Sequence, residues 1–355
     1  VGPGPGAGAV RPVRQNAGAM PYDTPLLQAH RTRRQALVRL MAGGLATALA
    51  APLVRAQAYP TRPVRIVVPF GAGGVADLTA RAVAQRLAEG LRQPVVVENR
   101  PGAGGVAAGE AVARAESDGH TLLLMSNGTA VSASLFRSLP FDARKDFAPV
   151  GVIGSFDLAV LAPGDSRFAS LRDLVAHVRA NPGRLNLATI QIGSTQHLAA
   201  ELLKTELGLD FQVVPFNGSP AVLTALRGGQ VDAAVEILGP MLPQVAARAV
   251  RPLAVLGAQR AAALPDVPTV AEAGARGFDV TSWNALAAPA TTPAAVLETL
   301  NRELNKALAT QELRRQLADL HVRPIGGSPE RLRDLLASET RRWGEVITRA
   351  GVPRQ

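Results

Sequence analysis

Val67 to Arg81 reads VVPFGAGGVADLTAR, an apolar run that breaks into a glycine-rich turn and reopens as a helical pattern. A turn of that kind places backbone N–H groups at the positive end of a helix dipole and so favours an anion. Gly71, Gly73 and Ala76 fit the G-x-G-x-x-[GA] spacing of a dinucleotide-binding turn, with Glu98 about twenty residues on as a ribose partner. The same turn equally suits a bare carboxylate. Pro69 and Phe70 stand between the strand residues and Gly71, where the nucleotide fingerprint turns directly from its strand, and this weighs against the dinucleotide. Tight packing without a ligand is a third use of such glycines. Asp77 falls in the first helical turn, where a carboxylate meets either a ligand or the helix N-terminus itself.

Three more turns of this type carry small polar groups. LNLATI runs into Gln191, Ile192, Gly193, Ser194 and Thr195, and a helical pattern begins at once, with Ser194 or Thr195 placed to cap it. Ser126, Asn127 and Thr129 follow the run TLLLM, and Asn217, Gly218 and Ser219 follow VVPF. Ligands of open α/β sheets gather beyond the carboxyl ends of the strands, so the four turns are read together. None contains Lys or Arg, and an anion held there rests on N–H groups, hydroxyls and bound water. The exposure of those N–H groups is expected to require the missing Cβ at Gly73, Gly74 or Gly193. His197 and Glu201 lie four apart on one helix face, but no third metal ligand is near them in sequence, and a hydrogen-bonded histidine near the helix start is the expectation. G-x-S-x-G, P-loop and H-E-x-x-H patterns are absent, so no catalytic residue, metal, cofactor or enzymatic activity is expected.

The elements that would position these turns are short β-branched runs alternating with helical periodicity. VRIVVPF, PVVVEN, TLLLMS, APVGVIGSF, LAVLAP, LNLATI, FQVVPF, VDAAVEI, PLAVLG and FDVTSWNALAAP read as strands. Between them Val75, Leu78, Ala82, Val83, Leu87 and Leu91 recur at helical spacing, as do Leu198, Leu202, Leu203 and Leu207. This predicts an α/β fold, mainly parallel within each of two sheets flanked by helices. The chain ends in helical patterns at 292–309, 311–320 and 328–350 without further strands. If those helices return to the first sheet, residues 59–156 with 284–355 form one lobe and 157–283 an inserted second lobe, with a ligand cleft between them.

With 355 residues, 47% of them hydrophobic and 19% charged, the chain has apolar material for one or two packed domains. Arg31, Arg33, Arg34 and Arg39 precede an apolar stretch from about Leu40 to Leu53, and Ala56-Gln57-Ala58 supplies a small-x-small cleavage pattern. This reads as a cleavable export signal, twin-arginine-like or general secretory, with the mature chain beginning near Tyr59. Residues 1 to 30 read as a disordered extension. Of the 38 basic and 28 acidic residues, 7 and 1 precede Tyr59, leaving 31 against 27, a net charge of +4 too scattered to bind nucleic acid. The absence of cysteine excludes disulfides and thiolate sites and suits an oxidising compartment.

The stretches VVVENRPGAGG, DGHTLLL, LPFDARKDFAPV, IGSTQHLAAELL, GGQVDAA, ALPDVPTVAEAG and SWNALAAPATTP, in this order, resemble the extracytoplasmic receptors of tripartite tricarboxylate transporters, also called Bug-type solute-binding proteins. The resemblance covers Tyr59 to Val352. It implies a periplasmic, two-lobed Venus flytrap that binds a small carboxylate (a dicarboxylate, tricarboxylate, aromatic or amino acid) and presents it to membrane transport subunits, acting as a monomer. Carried onto this chain, it places the ligand at Phe70, Gly71, Gly73, Gly74, Ala76 and Asp77 in the first turn and at Gly193, Ser194, Thr195 and His197 in the second, with Ser126, Asn127 and Thr129, and Phe216, Gly218 and Ser219, beside them. The family often has two prolines where Gly71 and Ala72 stand, a glycine at the place of Gln191 and a tyrosine at that of Phe216, so the pocket is expected to differ around its carboxylate grip. The match of ENRPGAGG removes Glu98 as a ribose ligand. Two other readings share the residues: an exported NAD(P)-dependent oxidoreductase, and a ligand-sensing receptor for a two-component system.

Overall fold

Strands and helices alternate along the chain as the two periodicities predict. The computed structural model describes Gly2, residues 59–349 and residues 351–355; the stretches read as an export signal and its cleavage motif lie outside the described residues. From the N-terminal side the elements are β1 (Val64–Val68), α1 (Val75–Leu91), β2 (Val95–Asn99), α2 (Val106–Ala113), β3 (Thr121–Met125), α3 (Asn127–Leu135) and the long β4 (Phe147–Pro163). They continue as α4 (Leu171–Ala180), β5 (Asn186–Ile190), α5 (Thr195–Leu207), β6 (Gln212–Phe216), α6 (Ser219–Arg227), β7 (Ala233–Ile237), α7 (Leu238–Ala246) and β8 (Val250–Val255). The last five are β9 (Thr281–Pro289), α8 (Ala294–Ala309), α9 (Gln311–Asp319), β10 (Val322–Pro324) and α10 (Pro329–Arg349). No helix among the described residues is long and apolar enough to cross a membrane.

The fold is the α/β, two-lobed class expected, with pairing more mixed than the alternation of elements implies. β1 pairs in parallel with β2 and β3, and β5 in parallel with β6 and β7. β4 runs antiparallel to β9 from Phe147 to Asp157, then antiparallel to β7 and β8 from Leu158 to Pro163. One strand therefore serves both sheets. The sequence reads it as two, because polar Asp157 interrupts the apolar run; the backbone stays extended there, with Asp157 opposite Thr281 and its carboxylate accepting from Arg323 at 2.7 and 3.0 Å. The C-terminal segment also contains a strand that helical periodicity conceals, since β10, three residues long, joins β4 beside Gly154 to Phe156.

Burial explains the helices. α1 covers the sheet with Val75, Ala80, Val83, Leu87 and Leu91 on one stripe and stops at Arg92, which adopts a left-handed φ of 54°. α10 buries Leu332, Leu336, Trp343, Val346 and Ile347 against α3 and β4, so the C-terminal helices do return to the first sheet.

Candidate functional site

β1, β3, β5 and β6 each run into a turn and a helix, and the four turns line one cavity that is partly open to solvent, a concave place of the kind small ligands use. Phe70, Gly71, Gly74 and Ala76 line it from the first turn, Ser126 from the turn after β3, Thr195 from that after β5, and Gly218 and Ser219 from that after β6. Apolar wall comes from Val75, Phe156, Ile190 and Ile237, and further polar groups from Gln196, Ser282 and Asn284, none of which the sequence singles out as site residues. No Lys, Arg or His belongs to this lining.

The four helix starts differ in what they leave free. Ser126 caps α3, its Oγ accepting from Gly128 N–H at 3.2 Å while Thr129 Oγ1 accepts from Ser126 N–H at 3.4 Å. Ser194 caps α5, its Oγ accepting from His197 N–H at 3.1 Å. α6 starts on Gly218 with Pro220 in its first turn, which removes one N–H. α1 starts on Gly74 with no side-chain cap, and Gly74, Val75 and Ala76 all face the cavity. Its first-turn N–H groups have no partner within the helix, so α1 offers the cavity an uncapped positive end.

Asp77 is turned away from the cavity. Its Oδ2 accepts from Gly73 N–H at 2.9 Å, and its Oδ1 accepts from Arg81 Nε at 3.0 Å and from Asn99 Nδ2 at 2.9 Å. Asn99 Nδ2 also donates to Phe70 O at 3.0 Å. Burial acts to raise the carboxyl's pKa, but these hydrogen bonds outweigh it and hold Asp77 below the usual carboxylate range. The residue braces the turn, and Asn99 of the ENRPGAGG motif braces it from the next strand.

Other expectations are corrected in the same way. Gly73 has φ of +81° and its N–H is engaged by Asp77, so its glycine serves the turn and not the exposure of an N–H to ligand. Gly193, with φ of +82°, is a close-packing glycine: a Cβ there would lie 2.9 Å from Leu135 Cδ2 and 3.0 Å from Gly104 Cα. Thr129, Gly193 and Ser194 line a smaller crevice beside the main cavity, together with Phe70 and Ser126. There Gln191 Nε2 donates to Pro69 O and to Gly102 O, the latter at 3.1 Å, and Gly104 N–H donates to Ile192 O at 2.8 Å. The glycine-rich end of the motif thus meets the turn after β5. Asn127 is fully buried and donates to Thr281 O at 3.2 Å, and Phe216 packs half-buried against the apolar cluster behind its sheet; neither lines the cavity.

His197 also stands off the lining, buried, with Nδ1 lacking a partner among the described residues. Burial first, and the positive charge of Lys204 second, push it down to about 4, so the ring is neutral. Two lining residues are bonded to an acid behind them, Glu236 on β7, which is fully buried and whose Oε2 accepts from Ser219 Oγ at 3.0 Å and Gln196 Nε2 at 3.2 Å. A lone charge in the apolar run AAVEI was its only signal in the sequence. Glu98, once a candidate for ribose, is engaged by Arg65 at 2.9 Å and by Arg100.

The family model described as the tripartite tricarboxylate transporter family receptor matches residues 79–352. The chain belongs to this receptor family. Among solved structures it is similar to the periplasmic binding protein BugD, with 33% identity and a TM-score of 0.80 over 84% of this chain and 100% of that one. It is also similar to Rpa4515 of R. palustris with adipate, at 35% identity and a TM-score of 0.79 over 82% of this chain and 98% of that one. MatC of Rhodopseudomonas palustris with bound malate gives 35% identity and a TM-score of 0.77 over 81% of this chain and 100% of that one. Of these similar proteins, BugD is a periplasmic binding protein, and Rpa4515 and MatC hold carboxylates.

Proposed function

We propose that this chain is a periplasmic solute-binding protein that captures a small carboxylate in the shared cavity and delivers it to the membrane subunits of a tripartite tricarboxylate transporter. The observation that carries the reading is the uncapped first turn of α1, opening through Gly74, Val75 and Ala76 on a cavity to which both sheets contribute. A carboxylate seated there satisfies N–H groups that the helix leaves free, without a basic side chain. Phe70, Gly71, Ser126, Thr195, Gly218 and Ser219 line the rest of the ligand site, and the adipate and malate held by the two similar proteins agree with a small carboxylate as ligand. Residues 59–156 with 284–355 are assigned to one lobe and 157–283 to the other, with Tyr59 near the mature N-terminus.

A thermal-shift panel of small mono-, di- and tricarboxylates tests the reading. A ligand at ~100 times its Kd adds about 2.7 kcal/mol and raises Tm. Gly74→Val should fold yet abolish the shift: Gly74 has an ordinary φ of −83°, and a Cβ there would have room 3.7 Å from Ser219 Oγ, but a branched side chain covers the first-turn N–H groups. Absence of a shift for every carboxylate in the wild type, or an undiminished shift in folded Gly74→Val, overturns the assignment. Delivery is checked by ligand uptake into vesicles carrying the transporter's membrane subunits, which should depend on added receptor.

A further inference from the structure

Glu236 has no exposed surface, and its Oε2 accepts three hydrogen bonds, from Ser219 Oγ, Gln196 Nε2 and Ile237 N–H, the last at 3.0 Å. Its Oε1 has no partner among the described residues. Ser219 and Gln196 stand in the first turns of α6 and α5, so the positive ends of those two helices already face a carboxylate belonging to the protein. Both residues line the cavity, and no Lys or Arg among the described residues belongs to that lining to offset the carboxylate. Because the Ser219 hydroxyl donates to Glu236, it turns lone pairs toward the cavity. This accepting wall faces the first turn of α1 closely, Ser219 Oγ lying 3.7 Å from where a Cβ on Gly74 would be. Asn284, 1% exposed and part of the same lining, has neither carboxamide atom partnered among the described residues.

Resting on the carboxylate-receptor reading, we propose that Glu236, acting through Ser219 and Gln196, selects ligands that carry a hydrogen-bond donor beside their carboxylate, namely 2-hydroxy or 2-amino acids. A carboxylate on the first turn of α1 lies within reach of the negative, accepting wall, which repels it unless a donor on the adjacent carbon is presented to that wall. An unsubstituted acid leaves the acceptors without a partner and carries the repulsion uncompensated. Specificity for the donor is then a property of a residue that the ligand never touches, and Glu236 is a positioning residue.

Burial pushes the Glu236 carboxyl up to about 7, so the decisive titrations are run at pH 8, where it is ionised. Calorimetry compares matched sets: succinate, malate and aspartate; glutarate, 2-hydroxyglutarate and glutamate; hexanoate, 2-hydroxyhexanoate and norleucine. Within whichever skeleton binds, the hydroxy or amino member should bind at least about tenfold tighter than the unsubstituted acid. Glu236→Gln should compress that ratio to about threefold or less, and Ser219→Ala, which keeps the buried charge and removes the hydroxyl acceptor, should compress it too if the first variant does not fold. Equal or tighter binding of the unsubstituted acid in the wild type, or a ratio unchanged in the folded variants, overturns the inference. Binding by no member of these sets, together with no shift in the carboxylate panel, overturns the carboxylate reading itself and this inference with it, whereas a shift in the panel with no binding in the sets overturns this inference alone.

Discussion

Glu236 and His197 are both buried ionisable groups, and their burial acts on stability in opposite directions. Glu236 has its pKa raised by burial from 4.5 to about 7, against the hydrogen bonds from Gln196, Ile237 and Ser219. The folded state then binds the proton more readily than the unfolded state, so the stabilisation is full below pH 4.5 and is lost as pH rises through about 7. His197 is lowered from 6.5 to about 4, chiefly by burial, so its stabilisation is full above pH 6.5 and is lost as pH falls through about 4. Between pH 4.5 and 6.5 the two nearly cancel, each changing by about 2 kcal/mol. Urea unfolding across that window should therefore show Glu236→Gln losing stability on acidification relative to the wild type, and His197→Gln gaining it. Parallel curves for the three proteins would show that neither group is held as described.

At the scale of the element, the first turn owes its shape to a brace and not to its glycines alone. Asp77 on α1 holds Gly73 N–H, Asn99 at the end of β2 holds both Asp77 and Phe70 O, and so the helix start and two strand ends form one unit. Asp77→Asn replaces a carboxylate that accepts three hydrogen bonds by a group with fewer acceptor sites, and a cost of about 1–3 kcal/mol is expected. Arg81→Ala removes only a half-exposed partner, at 50% side-chain exposure, and should cost less than about 1 kcal/mol. Calorimetry should find ligand affinity reduced in Asp77→Asn although the side chain lines neither cavity. Wild-type affinity and stability in that variant would refute the brace.

Over the whole molecule, the four turns are tied together by direct contacts. Gly71 lies so close to Asn217 that a Cβ there would meet its carbonyl oxygen at 3.0 Å, Gln191 reaches Pro69 O and Gly102 O, and Thr195 Oγ1 and Ser282 Oγ are hydrogen-bonded at 2.8 Å. Such contacts tie the turns to one another, and the ligand is expected to enter when the lobes part about the crossover strand β4 near Asp157 and the entry to β9 near Thr281. Small-angle scattering should show a smaller radius of gyration with saturating ligand than without, and Gln191→Gly should enlarge the ligand-free radius by removing two cross-sheet hydrogen bonds. Identical radii with and without ligand would rule out closure.

The sequence by itself determined the alternation of strands and helices, the four polar turns at strand ends and the family, because each of these is written in neighbouring residues: β-branched runs, helical spacing, glycines and caps. Asn99 was visible only as part of a motif, and its work appeared when β2 came to lie beside β1. Tertiary structure alone decided that β4 is one strand serving two sheets, that Gly193 packs against Gly104, and that Asp77 and His197 stand off the lining of the cavity. It also brought Gln196, Ser219, Glu236 and Asn284 together from four separate segments. The reason is the same in each case: local periodicity sets how a residue sits on its own element, whereas the direction a polar side chain faces, and whether its hydrogen bonds are met by the chain or left for a ligand, depends on which distant element is packed against it.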